Sequence, residues 1–151
     1  MDAVTYPQDK VAAFINDHFV PVKIHTDDHP ELTERYRVPW TPTFILLDGN
    51  GTEHYRETGY LPPDDFLAHM ILALGRAAFE ERDFASAAKH FQRLVDHHGT
   101  SELVPEALYF LGVCKNRISG GTADDRKAAW KRLLEGHPKS DWAKKASFAF
   151  E

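Results

Sequence analysis

The sequence holds a single cysteine, Cys114, in 151 residues. One cysteine excludes an intrachain disulfide, a CxxC dithiol pair and a cysteine-rich zinc site. Long apolar runs are also missing: no stretch approaches the ~18–20 residues needed to span a bilayer. The opening residues MDAVTYPQDK lack the basic-then-apolar order of a secretory signal. The expected location is therefore cytoplasmic, unless a signal lies upstream of Met1. Positive charge is in deficit, with 18 Lys and Arg against 23 Asp and Glu, for a net charge of −5. Nucleic-acid binders present a basic face, so no nucleic acid and no membrane is expected among the partners. There is no glycine-rich phosphate loop, no HExxH and no Ser/His/Asp signature. No catalytic residue, cofactor or metal is assigned from the sequence.

What is present divides the chain in two. After Pro7, QDKVAAFINDHF sets Val11, Phe14, Ile15 and Phe19 at helical spacing, with Asp9 near the start. VPVKI, Val20 to Ile24, reads as a short strand. Asp28 or His29 is placed to cap a short helix with Pro30 at its first position. TPTFILLD is aliphatic and rich in β-formers, too apolar for a half-exposed strand. DGNG is a hairpin turn, and GTEHYRETG is a polar second arm that Gly59 would end. From Pro63 onward every segment has helical spacing and no strand pattern returns. Pro105, Gly120-Gly121 and Pro138 punctuate the series.

The helical half repeats itself. Leu74-Gly75 recurs as Leu111-Gly112, Phe91-Gln-Arg-Leu94 as Trp130-Lys-Arg-Leu133, and HHGTSE as GHPKSD. The spacing is close to the ~34-residue period of helix-pair repeats. LGRAAFEERDFASAAKHFQRL resembles a tetratricopeptide unit. In that resemblance Leu74 and Gly75 are the close-packing pair of the first helix. Phe84 is the aromatic at the turn, Ala87 the small residue between helices, and Phe91 the aromatic of the second helix. The second copy departs from the pattern: its turn, RISGGTADD, is longer, and Arg126 stands near the small-residue position. The last helix, DWAKKASFAF, is expected to cap the array.

The first half, from DKVAAF to FLAHM, resembles the second half of a thioredoxin-fold domain. Trp40, Thr41 and Pro42 match the loop that in this family carries a cis proline beside the reactive CxxC. GYLPPDDF resembles the link to the last helix. The resemblance implies a fold of α/β plus all-α type: a partial thioredoxin-like fold at 1–72, followed by a tetratricopeptide-like helical repeat array at 73–151. It also implies a CxxC and a central strand just before the segment that matches MDAVTYPQDKV. This sequence contains neither. A start codon assigned late, an internal methionine read as the start, or a real loss would each produce this. The first is the expectation, because a domain has little reason to lose its central strand and keep the loop beside it.

The functional expectation is a protein-interaction protein without dithiol chemistry of its own, since exchange needs an attacking and a resolving thiol. Its partner would be a protein or peptide held by the helical repeats. Self-association through open sheet edges is a second expected contact. The alternative is a fragment of a thioredoxin-family thiol–disulfide oxidoreductase with its CxxC upstream of Met1. Trp40, Thr41 and Pro42 are the groove residues in either case, and Trp40 either fills the core beside Pro42 or lines that groove. Cys114, among Leu111, Gly112 and Val113, reads as a small buried hydrophobe. His25, Asp27, Asp28 and His29 read as a solvated loop, with no third element to complete a metal site. His97-His98 and the pairs Asp27-Asp28, Asp64-Asp65 and Asp124-Asp125 read as structural, most of them at helix ends.

Overall fold

The structure is a computed structural model that describes residues 1–118 and 120–150. Ser119, in the predicted turn RISGGTADD, and Glu151, at the end of the predicted second domain, lie outside the described residues. The chain divides into two compact units, Met1–Leu67 and Ala68–Glu151.

The first unit contains α1 (Asp9–His18), α2 (Pro30–Arg35), β1 (Thr43–Leu47) and β2 (Glu53–Thr58). Helix α1 buries Val11 and Phe14, one turn apart on one face. Helix α2 starts at Pro30, whose missing N–H would have been unsatisfied there in any case; His29 is the N-cap residue but gives no side-chain cap. Strands β1 and β2 form an antiparallel hairpin, pairing Thr43 with Thr58 and Leu46 with Tyr55. The Asp48 carboxylate closes the turn by accepting the N–H groups of Asn50 and Thr52, each at 2.8 Å. An irregularity between Leu46 and Leu47 then shifts the register, so that Leu47 faces Glu53. Gly59 follows β2 at φ +118, where a side chain would be strained.

Two expectations fail in this unit. Val20–Ile24 is not a strand. Val20 is 92% exposed and Val22 76%, and residues 20–24 take part in no backbone hydrogen bond among the described residues. The segment has β-forming composition, but a strand exists only as one member of a pair, and among the described residues no neighbour offers it a ladder. Likewise β1 is not fully buried: every residue from Thr43 to Leu47 is half-buried. Among the described residues the sheet has only two strands, so β1 is paired along one edge alone.

Helix α3 (Pro63–Glu80) runs across the division between the units. Around its start, Phe66 takes the ring edges of Phe44 and Tyr6 at 5.3 and 5.8 Å, and the buried Thr5 hydroxyl donates to the Leu61 carbonyl at 2.7 Å. The second unit continues with α4 (Phe84–His97), α5 (Val104–Arg117), α6 (Ala123–Gly136) and α7 (Asp141–Ala146), then a 3-10 turn at Ser147–Phe150. Each boundary has a local cause. The Asp83 carboxylate caps α4 through the Ser86 N–H, Pro105 sits in the first turn of α5, and Thr122 with Asp125 forms a reciprocal capping box on α6. His97 is the last residue of α4, and His98 is its C-cap.

The helices pack through a seam that occurs twice. Where Gly75 would carry a Cβ, the Phe91 ring of α4 lies 2.7 Å away; where Gly112 would carry one, the Trp130 ring of α6 lies 2.7 Å away. Ala87 and Phe91 are fully buried, and Trp130 is buried at the matching place of the second hairpin. Arg126, at the expected small-residue position, lays its guanidinium over the Trp130 ring at 5.0 Å. Its backbone carbonyl comes within 3.1 Å of the Gly112 Cβ position, so glycine on α5 provides the close approach. A run of aromatic contacts links the unit, from Phe84 through Phe79 to Phe110, and from Tyr109 to Trp130 and Trp142. Arg76 on α3 donates to Glu106 on α5 at 2.8 Å.

Candidate functional site

The loop Trp40–Thr41–Pro42 enters β1 and is anchored by neutral hydrogen bonds. The Thr43 hydroxyl donates to the Trp40 carbonyl at 2.6 Å and lies 3.1 Å from the Thr58 hydroxyl across the hairpin. The Gly59 N–H donates to the Pro42 carbonyl at 2.8 Å. On the N-terminal side, the Val38 N–H donates to the Thr33 carbonyl at 3.0 Å, which ties the loop to α2. Arg56 on β2 donates to the Tyr36 carbonyl at 2.7 Å and to the Glu53 carboxylate. That Arg56 contact holds the Glu53 carboxyl below its ordinary range. The Thr41–Pro42 peptide is cis.

Backbone anchoring leaves the Trp40 side chain outside. It is 71% exposed, so it does not fill the core beside Pro42. Thr41 is exposed and Pro42 half-buried. The three residues therefore give a fixed loop with one large amphipathic ring facing solvent. A tryptophan in that situation offers apolar area and an indole N–H donor to a partner.

The other candidate residues are placed differently. Cys114 is fully buried on α5, and burial pushes its thiol up to about 12, so it carries almost no thiolate at neutral pH. His25 approaches Asp28 at 3.9 Å, and His29 approaches Glu31 at 3.3 Å, in an exposed segment. Among the described residues no three His, Cys, Asp or Glu side chains converge as a metal site would require. Of the acid pairs, Asp124-Asp125 opens α6, where Thr122 holds the Asp125 carboxyl below its ordinary range, and Asp64-Asp65 opens α3.

The structure also shows a feature that the sequence reading missed. In the second unit, an open groove of about 570 Å³ runs between α4 and α5. Lys89, Arg93 and Lys115 lie along it, beside Ala85, Ala88 and Ile118, with the buried Leu111 beneath. The i, i+4 pair Lys89 and Arg93 was visible in the sequence, but Lys115 joins them only through the packing of α5 on α4.

The family described as a thioredoxin-like domain matches residues 1–73. That segment is similar to a thioredoxin-like domain, and the described residues after it are largely helical. No curated protein matches the chain. No solved structure matches it. No helix among the described residues is long and apolar enough to cross a membrane.

Proposed function

We propose that this chain is a cytoplasmic protein-interaction protein, in which a thioredoxin-like part at 1–72 precedes a tetratricopeptide-like array at 73–151. The observation that carries this reading is the repeated seam, Gly75 against Phe91 and Gly112 against Trp130. Two helix hairpins built alike and stacked in series suit an extended partner better than a compact substrate. The array holds a protein or peptide, and Trp40, Thr41 and Pro42 form a second peptide-side surface. No dithiol exchange is assigned to these residues, because the single thiol is buried and stays protonated.

Selection from a random-peptide display library on the full chain tests the reading. Enriched sequences whose binding is lost on substituting exposed residues of the helical half are expected. Failure to enrich any sequence would overturn it.

The exposure of Trp40 on an anchored loop favours a second reading. Were a segment with a CxxC to precede residue 1, the same loop would lie on the substrate side of a thiol–disulfide oxidoreductase with a role in redox homeostasis. The DNA upstream of the Met1 codon decides: an in-frame strand pattern followed by CxxC supports it, and a stop codon in that frame excludes it. The exposed Val20 and Val22, together with a sheet that has two strands among the described residues, support self-association through open edges. Sedimentation of the chain as a monomer at all concentrations would refute that contact.

A further inference from the structure

The turn between β1 and β2 is held shut from one residue. The Asp48 carboxylate accepts the N–H groups of Asn50 and Thr52, each at 2.8 Å, and the Asp48 carbonyl accepts the Gly51 N–H at 3.0 Å. The Asp48 N–H closes the other side by donating to the Thr52 carbonyl at 3.0 Å. Inside this frame stands Asn50-Gly51, exposed at the tip. Gly51 has no side chain, and nothing lies within 4 Å of the place where a Cβ would stand, so that side of its amide nitrogen is uncrowded. Covalent structure sets this nitrogen within reach of the Asn50 side-chain amide, where attack closes a small ring. In the folded turn, however, the Gly51 N–H is engaged by the Asp48 carbonyl and Gly51 is fixed at φ +82. Chemistry at Asn50 therefore requires the turn to open.

We propose that Asn50 is a site of spontaneous deamidation, gated by the Asp48 turn. When the turn opens, the Gly51 nitrogen gives its proton to water or hydroxide and attacks Cγ of Asn50. The N–Cγ bond forms, the Cγ–Nδ2 bond breaks, and the side-chain nitrogen takes a proton from solvent and leaves as ammonia. Water then adds to one of the two ring carbonyls and reopens the succinimide as aspartate or isoaspartate. Nothing is oxidised or reduced, and water is the only co-reactant. The neighbouring Asp48-Gly49 pair has the same backbone arrangement but is spared. The Thr52 N–H above all, with the Asn50 N–H and His54, holds the Asp48 carboxyl below its ordinary range, and an ionised carboxylate is a poor electrophile. Either product at position 50 puts a second carboxylate close to Asp48, and isoaspartate also adds a carbon to the backbone of the turn. Conversion thus works against the turn that had restrained it.

The test is peptide mapping by isotope-resolved mass spectrometry after the full chain has stood in warm, mildly alkaline buffer, with isoaspartate counted by an isoaspartyl methyltransferase. Conversion is expected at Asn50 and not at Asn16 or Asn116, which lie in α1 and α5 and precede Asp17 and Arg117. It should run more than tenfold faster in urea than in the native chain, because the native rate is limited by how often the turn opens. Asp48→Ala removes the acceptor of two N–H groups, so it should raise the native rate severalfold and leave the rate in urea unchanged. Asp48→Ser keeps a weaker acceptor and should fall between the two. It also keeps the test valid if circular dichroism shows that Asp48→Ala disturbs the fold. No conversion of Asn50 in the native chain, equal rates in the native chain and in urea, or a native rate unmoved by both substitutions would each overturn the inference.

Discussion

Replacing Gly112 by alanine sets two effects of known sign against each other. A glycine inside a helix costs about 1 kcal/mol relative to alanine, so propensity alone predicts stabilisation. The added methyl, however, would lie 2.7 Å from two atoms of the Trp130 ring and 3.1 Å from the Arg126 carbonyl. Trp130 has little room to give: it is 2% exposed, stacked on Tyr109 at 5.1 Å, and its indole N–H donates to the Tyr109 carbonyl at 2.9 Å. Overpacking of this kind costs about 1–3 kcal/mol. Displacing the indole loses a hydrogen bond worth about 0.5–1.5 kcal/mol as well. Clash and lost bond together exceed the propensity gain, leaving Gly112→Ala less stable by about 2 kcal/mol. For a unit of this size that lowers the melting temperature by roughly 8–16 °C. Gly136→Ala is the control, since nothing lies within 4 Å of its Cβ position at the end of α6. It should raise stability by a few tenths of a kcal/mol, up to about 1. Urea and thermal melts followed by far-ultraviolet circular dichroism read both variants. A Gly112→Ala protein as stable as the wild type, beside a Gly136→Ala control that behaves as stated, would refute the packing argument.

Cys114 should resist a thiol-specific disulfide reagent in the native chain and react at once in urea. Its folded pKa is raised, so the stability it contributes is present below the unfolded value of ~8.5 and is lost as pH rises towards about 12; melts at increasing alkaline pH check this. The Ser86 side chain and N–H hold the Asp83 carboxyl low, and the Thr122 hydroxyl and N–H do the same for Asp125. Depressed carboxyls stabilise above their unfolded value of ~3.9, so melting temperature should fall as pH drops below it, and less steeply in Asp83→Asn/Asp125→Asn. Thr122→Ala should cost about 1 kcal/mol through loss of the capping box, measured by urea titration. Trp40→Ala should leave stability within about 0.5 kcal/mol of the wild type in the same titration, because the side chain is exposed. The amides of Val22, Lys23 and Ile24 should exchange with deuterium at nearly unprotected rates in the monomer, and slow exchange there would show a partner strand.

The legible parts of the fold were those whose causes are local. The α1 pattern of Val11 and Phe14, the turn at Asp48, the stop at Gly59, Pro30 at the head of α2 and the Asp124-Asp125 pair at the head of α6 all act within a few residues, so sequence spacing reveals them. Gly75 and Gly112 were legible because each repeats with its aromatic partner at a similar distance along the chain. Val20–Ile24 was not legible, because composition reports the capacity for a strand and not the presence of a neighbour to pair with. The same missing neighbour leaves β1 half-buried despite its aliphatic composition. At the Trp40 loop the sequence left open whether the ring fills the core or faces outward; the ring is exposed, while hydrogen bonds from Thr43 and Gly59 hold the backbone around it. The α4–α5 groove was missed because Lys115 is far from Lys89 in sequence and meets it only through helix packing.

The measurement that bears most directly on the central claim is amide hydrogen exchange of the full chain, with and without a saturating display-selected peptide. The account predicts slowed exchange in the helical half, centred on α4 and α5. Binding that slows no amide there, or slows only amides of residues 1–67, would contradict it.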